Sequence, residues 1–207
     1  MKNTVYIKAY CAITNTKMVC NDEVLCEENE LDYKSFLKSI YKNYCEVSYP
    51  KFFKMDEASK LAFLTAEVLL KNTSMTENEK EDLAIILSNK SASLNTDRDY
   101  QNSIQDKNNF YPSPAIFVYT LPNIGIGEIC IRHKSYGENA FYITEKFDAN
   151  LLSTYAQTLL NTNKTNNVLC GWVEVEKGKC SSFFYLLSNT EGELYSEKNI
   201  NEIYQSI

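Results

Sequence analysis

Three side chains in this 207-residue chain are reactive enough to be weighed for chemistry, and each has a plainer structural explanation. His133, the only histidine, is a general base by type, because an unperturbed imidazole titrates near neutral pH. At the end of an apolar segment it reads instead as a helix-end histidine near the last carbonyls. Cys170, within Val168-Leu169-Cys170-Gly171-Trp172, offers a sulfur nucleophile, but the chain has no second histidine to activate it. A small residue packed in a strand is the reading that run supports. Lys146 is an amine that would form a Schiff base if burial brought its pKa down; with Glu145 beside it, a charged, ion-paired lysine is expected. Gly125-Ile126-Gly127 lacks the third glycine of a phosphate-binding loop and lies in a helical run. Glu27, Glu28 and Glu30 lack the alternating ligands and the glycine of a calcium loop, which leaves a solvated acidic face. No metal and no cofactor is expected.

The bulk properties narrow the partners. A net charge of −6 without any lysine- or arginine-rich block gives no footprint for nucleic acid or for an anionic membrane surface. The seven cysteines are odd in number and scattered, without a C-x-x-C pair, and read as reduced, mostly buried thiols. Met1-Lys2-Asn3-Thr4 leads into the short mixed run Val5 to Thr14, which has neither the apolar stretch nor the cleavage site of a signal peptide. No later segment reaches the roughly 20 apolar residues that cross a bilayer. The expectation is a soluble, cytoplasmic protein whose 44% hydrophobic content supports one domain over residues 1–207.

The elements that must position these residues follow from periodicity. Val5 to Ile13 reads as a first strand. Residues 15–50 read as an irregular surface excursion in which Phe36, Ile40 and Tyr44 space a short helix over Tyr33 to Tyr44. Asp56 to Leu70 is a helix with acidic residues at its start, and Leu83 to Leu87 is an apolar run of the kind covered on both faces of a sheet. Ala115 to His133 reads as a helix whose Gly125 and Gly127 let another backbone approach. Phe141 to Thr144 is a strand, Asp148 an N-cap, and Leu151 to Leu160 the helix it opens. Val168 to Glu174 and Ser182 to Leu187 are strands joined by a hairpin turn at Gly178. This gives an α/β fold with a mixed, mainly parallel five-stranded sheet, helices packed on it and a C-terminal β-hairpin.

Four segments, in order, resemble the N-terminal half of the β-ketoacyl synthases, the thiolase-like fold. Lys54-Met55-Asp56 with Lys60-Leu61-Ala62 is similar to the "KMDR…LA" helix start. Ile85 to Asn89 with Ser91 to Asp97 is similar to the strand and small-residue loop that follow. Tyr119 to Asn123 with Gly127 to Arg132 resembles "LPN…GEIAIR", and Gly137-Glu138-Asn139 resembles the "GPN" turn into the nucleophile strand. Together they span about residues 50–187.

The resemblance implies a single half of that fold. In the family a cysteine nine residues after the turn glycine ends the motif "TAC" and carries the acyl group from a helix N-terminus. The same count from Gly137 reaches Lys146, in Thr144-Glu145-Lys146, where an ammonium would face a helix dipole at a cost of about 0.3–1 kcal/mol. The family's two catalytic histidines belong to a C-terminal half outside these 207 residues. No catalytic residue is therefore expected. The family also implies pairing across the strand before the nucleophile, which makes Phe141, Tyr142, Ile143 and Thr144 interface or tunnel residues. A helix that would otherwise bare Leu152, Tyr155, Ala156 and Leu159 to solvent joins them. The implied function is a non-catalytic chain-length-factor-type partner, similar to those of aryl polyene and dialkylresorcinol biosynthesis. Its partner would be a full-length ketosynthase in a heterodimer, or a second copy in a homodimer, with acyl carrier protein as a further partner. A stand-alone module binding an acyl chain or acyl carrier protein is the other reading.

Overall fold

The computed structural model describes residues 4–45, 48–108 and 110–207. Met1 to Asn3, the first residues of the N-terminal reading above, lie outside the described residues. The chain begins with strands β1 (Tyr6–Thr14), β2 (Lys17–Cys20) and β3 (Glu23–Glu27), then helix α1 (Tyr33–Tyr44) and a 3-10 turn at Pro50–Lys54. Helices α2 (Glu57–Lys71) and α3 (Glu77–Glu81) lead to β4 (Ala84–Asn89) and to α4 (Leu94–Ile104), α5 (Pro114–Val118) and α6 (Ile124–His133). Next come β5 (Asn139–Ile143), α7 (Ala149–Asn161), β6 (Asn167–Glu176), β7 (Lys179–Ser188), β8 (Glu193–Leu194) and α8 (Glu197–Ser206).

The run around Leu83 to Leu87 forms the middle of the sheet, as its lack of alternation requires: every residue of β4 is buried, with β5 and β6 parallel on either side. Two crossovers make this arrangement. From β4 the chain returns to β5 through α4, α5 and α6, and from β5 to β6 through α7 on the opposite face. The sheet order is β3-β2-β1-β7-β6-β4-β5, with β8 paired to β1. The sheet thus has eight strands where five were expected, and only the β6-β4-β5 portion is parallel. The added strands are short, β2 largely buried and β3 and β8 partly or fully exposed, and all three are too brief for alternation to stand out. They also correct the irregular excursion at 15–50: it contains a strand pair and α1, which spans Tyr33–Tyr44 as read.

Alternation along the strands divides the core. Leu83, Ile85, Leu87, Leu169, Val173, Phe184 and Leu186 face α1, α2 and α6, while Ala84, Ile86, Cys170, Phe183, Tyr185 and Leu187 face α7 and α8. Asp56 caps α2, its carboxylate accepting from the Ser59 amide at 2.9 Å. The long helix expected over Ala115 to His133 is instead α5 and α6, broken at Tyr119–Asn123, where Pro122 disfavours helical backbone at Leu121. Gly125 does lie against α2, a Cβ there standing 3.5 Å from that of Ala62, but Gly127 faces open space.

Gly137 is the tightest of the motif positions: a Cβ would stand 2.5 Å from the Leu83 carbonyl oxygen. Gly137→Ala must therefore displace the start of β4 or β5 and is expected to cost roughly 1–3 kcal/mol in urea unfolding. Gly127→Ala meets nothing and should stabilise by up to about 1 kcal/mol through helix propensity.

Candidate functional site

The bend between β5 and α7, Thr144 to Asp148, is where the family resemblance put a nucleophile. Asp148 is the N-cap, with its carboxylate accepting from the Leu151 amide at 2.9 Å. Phe147 is buried against Phe183 and Tyr204, ring centroids at 5.5 and 4.4 Å, and pins the bend to the core. Lys146 is exposed, two residues before the cap, and the Thr144 hydroxyl donates to its carbonyl at 2.9 Å. Water and the intervening Asp148 carboxylate remove most of the dipole cost expected for its ammonium. The neighbouring Glu145 is exposed as well. Cys170 lies under α7, fully buried, with its sulfur 4.0 Å from the Leu152 carbonyl. Burial pushes its thiol far above the ordinary range, which disfavours the thiolate.

Beside the bend lies an open strand edge. The Ile85 amide donates to the Glu138 carbonyl at 2.9 Å and the Thr144 amide to the Asn89 carbonyl at 2.8 Å, so the even-numbered residues of this stretch bond to β4. The amides and carbonyls of Asn139, Phe141 and Ile143 point outward, and β5 has no second strand neighbour among the described residues. Phe141 packs inward toward α6, Tyr142 stacks edge-on to Tyr155 at 6.4 Å, and Ile143 is 53% exposed. Two adjoining hollows of about 300 Å³ each run along the edge and share Asn123 and Asn139. Leu121 and Tyr136, at 55% and 80% exposure, line one of these hollows and extend the apolar surface. Sequence reasoning missed these two; their only signal was a large apolar side chain with polar neighbours.

The structure gathers Phe141, Tyr142, Ile143, Thr144 and Tyr155 at this edge but not Leu152 and Leu159. Those two, with Ala156, are buried against the sheet face and α8, which corrects the expectation that α7 bares an apolar stripe. Thr154 and Thr158 occupy its solvent side, so α7 is amphipathic and covered without a partner.

His133 ends α6, as expected, and also contacts a buried carboxylate. Its Nε2 lies 2.7 Å from Glu67 Oε1, and Arg132 holds the same carboxylate through Nε at 2.9 Å and Nη2 at 3.1 Å. Burial alone would raise the Glu67 carboxyl, but the bonds and charges from His133 and Arg132 outweigh it and hold its pKa below the ordinary value. This cluster fastens α6 to α2. A second buried carboxylate, Glu128, accepts from the Tyr119 hydroxyl at 3.0 Å and pairs with Lys51 at 2.8 Å. A polar cleft of about 620 Å³ lies elsewhere, between the start of α2, α4 and the β6–β7 turn, with Lys60, Arg98 and Asn102 on its wall. Among the described residues no cluster has the composition of a metal site, and no helix is long and apolar enough to cross a membrane.

No protein-family model and no curated protein matches the sequence. Solved structures do match. The ishigamide ketosynthase/chain length factor superposes with a TM-score of 0.70 at 15% identity, covering 89% of this chain and 62% of that one. In the ketosynthase ApeO in complex with its chain length factor ApeC, from Xenorhabdus doucetiae, the TM-score is 0.61 at 14% identity, over 89% of this chain and 79% of that one. A β-ketoacyl synthase from Burkholderia phymatum matches with a TM-score of 0.60 at 10% identity, over 97% of this chain and 61% of that one. The chain thus spans less than two thirds of the ishigamide and Burkholderia chains, and at these identities what is shared is the architecture: its fold is that of the ketosynthases and chain length factors, the thiolase-like fold.

Proposed function

We propose that this chain is a non-catalytic, chain-length-factor-type partner of an active ketosynthase in fatty acid or polyketide-type biosynthesis, with aryl polyene pigment assembly as its setting in the cytoplasm. The observation that carries this reading is the open β5 edge flanked by exposed Leu121, Tyr136 and Ile143. Unpaired strand amides beside an apolar groove are a template for another strand. Lys146 at the bend supports the non-catalytic part, since an exposed ammonium cannot carry an acyl thioester. Fold likeness to a ketosynthase solved together with its chain length factor adds to both.

In this reading β5 pairs with the corresponding strand of the ketosynthase, and Tyr142, Tyr155 and Lys146 lie where the two chains enclose the growing acyl chain. The test is co-expression of the tagged chain with full-length ketosynthases from its own genome. A stoichiometric complex with one of them is expected, with carbon–carbon bond formation abolished when the ketosynthase cysteine is replaced and still present in Lys146→Ala. Failure of every such ketosynthase to co-purify, with the chain remaining monomeric, overturns it.

A further inference from the structure

We propose that Cys11 and Cys20 form an oxidisable dithiol, a modification site at which a low-molecular-weight disulfide is reduced and a cross-strand disulfide between β1 and β2 is made. The two residues are directly opposite in the antiparallel register, the one Cys–Cys pairing in the sheet among the described residues. The Asn21 amide donates to the Tyr10 carbonyl at 3.1 Å, which marks that pair as hydrogen-bonded and the adjacent Cys11–Cys20 pair as non-hydrogen-bonded. Cα atoms at such positions are about 4.5 Å apart, with side chains close together, inside the roughly 4.4–6.8 Å range a disulfide spans. Both side chains enter the same core layer.

The two thiols are unequal. The Cys11 side chain facing it holds the Cys20 thiol below its ordinary pKa, although burial and the Glu23 charge oppose it. Burial holds Cys11 well above the same value. Cys20 also ends β2, beside the Asn21-Asp22 turn with φ of 49° and 66°, so a local opening of that turn reaches it. Its thiolate attacks one sulfur of the external disulfide and expels a thiolate. Cys11 then attacks the Cys20 sulfur of the mixed disulfide and expels the second. Overall, two cysteine S–H bonds are lost and one S–S bond forms, while the external S–S bond is cleaved to two thiols that take up both protons. The site lies across the sheet from β5, so it stands independently of ketosynthase pairing.

The experiment exposes the folded full chain to hydroxyethyl disulfide and follows it by thiol counting, peptide mapping and thermal unfolding. Expected are the loss of two thiols, a Cys11–Cys20 linked peptide, full reversal by dithiothreitol, and a melting temperature raised by roughly 5 °C in the oxidised form. Cys11→Ala should instead stop at a single mixed disulfide on Cys20; if that variant does not fold, the peptide map of the unmodified sequence decides alone. Thiols that react only on unfolding, a persistent single adduct on the unmodified sequence, or linkage of Cys20 to Cys26 overturns the proposal.

Discussion

Ile143→Pro is expected to weaken ketosynthase binding by more than about 100-fold while leaving the fold intact. The amide at Ile143 points away from β4, so proline removes a donor that only a partner strand would use. A partner carbonyl left without that donor costs about 1–3 kcal/mol, and the lost burial of an isoleucine about 1.5–3 kcal/mol. Together these amount to about 2.5–6 kcal/mol, and two decades in affinity correspond to about 2.8 kcal/mol, near the lower end of that range. Ile143→Thr keeps the amide and should lose only about tenfold. Pull-down or calorimetric titration against the ketosynthase measures the difference, and unchanged circular dichroism shows that β5 remains on β4. Equal binding by all three sequences would remove β5 from the interface.

Glu67→Gln is expected to destabilise the chain by about 3 kcal/mol at pH 7. The carboxylate is 9% exposed and holds both Arg132 and His133, so the substitution leaves the Arg132 guanidinium without its charge partner and removes an acceptor beside the His133 ring. The lower end of the range for a broken buried pair applies because the Arg132 side chain, at 22% exposure, keeps some water. The folded pKa of Glu67 lies below its ordinary value of 4.5. Its contribution is therefore fully present above pH 4.5 and is lost as pH falls through the lower, folded value. Urea unfolding of both forms at pH 7 and near pH 3 checks this, with the gap between them closing in acid. A gap that persists there would assign the effect to packing.

The sequence alone determined those elements whose cause is local. Asp56 and Asp148 were legible as helix starts because a carboxylate before an apolar-periodic run answers the unpaired amides there. Tyr33–Tyr44 followed from four-residue spacing, and the buried middle strand from an apolar run without alternation. The bend without a thiol was likewise a matter of counting from Gly137, whose need for a bare Cα the Leu83 carbonyl then explained. What only tertiary structure decided were the relations between distant segments. Whether Leu152 and Leu159 meet a partner or their own sheet depends on where α8 and β7 lie, and periodicity gives a helix a face without saying what covers it. The Glu67–Arg132–His133 cluster, the Cys11–Cys20 register and the open side of β5 each join residues that no local spacing relates. Buried charges, strand registers and sheet edges are set by the packing of the whole chain, and so they came into view only with the fold.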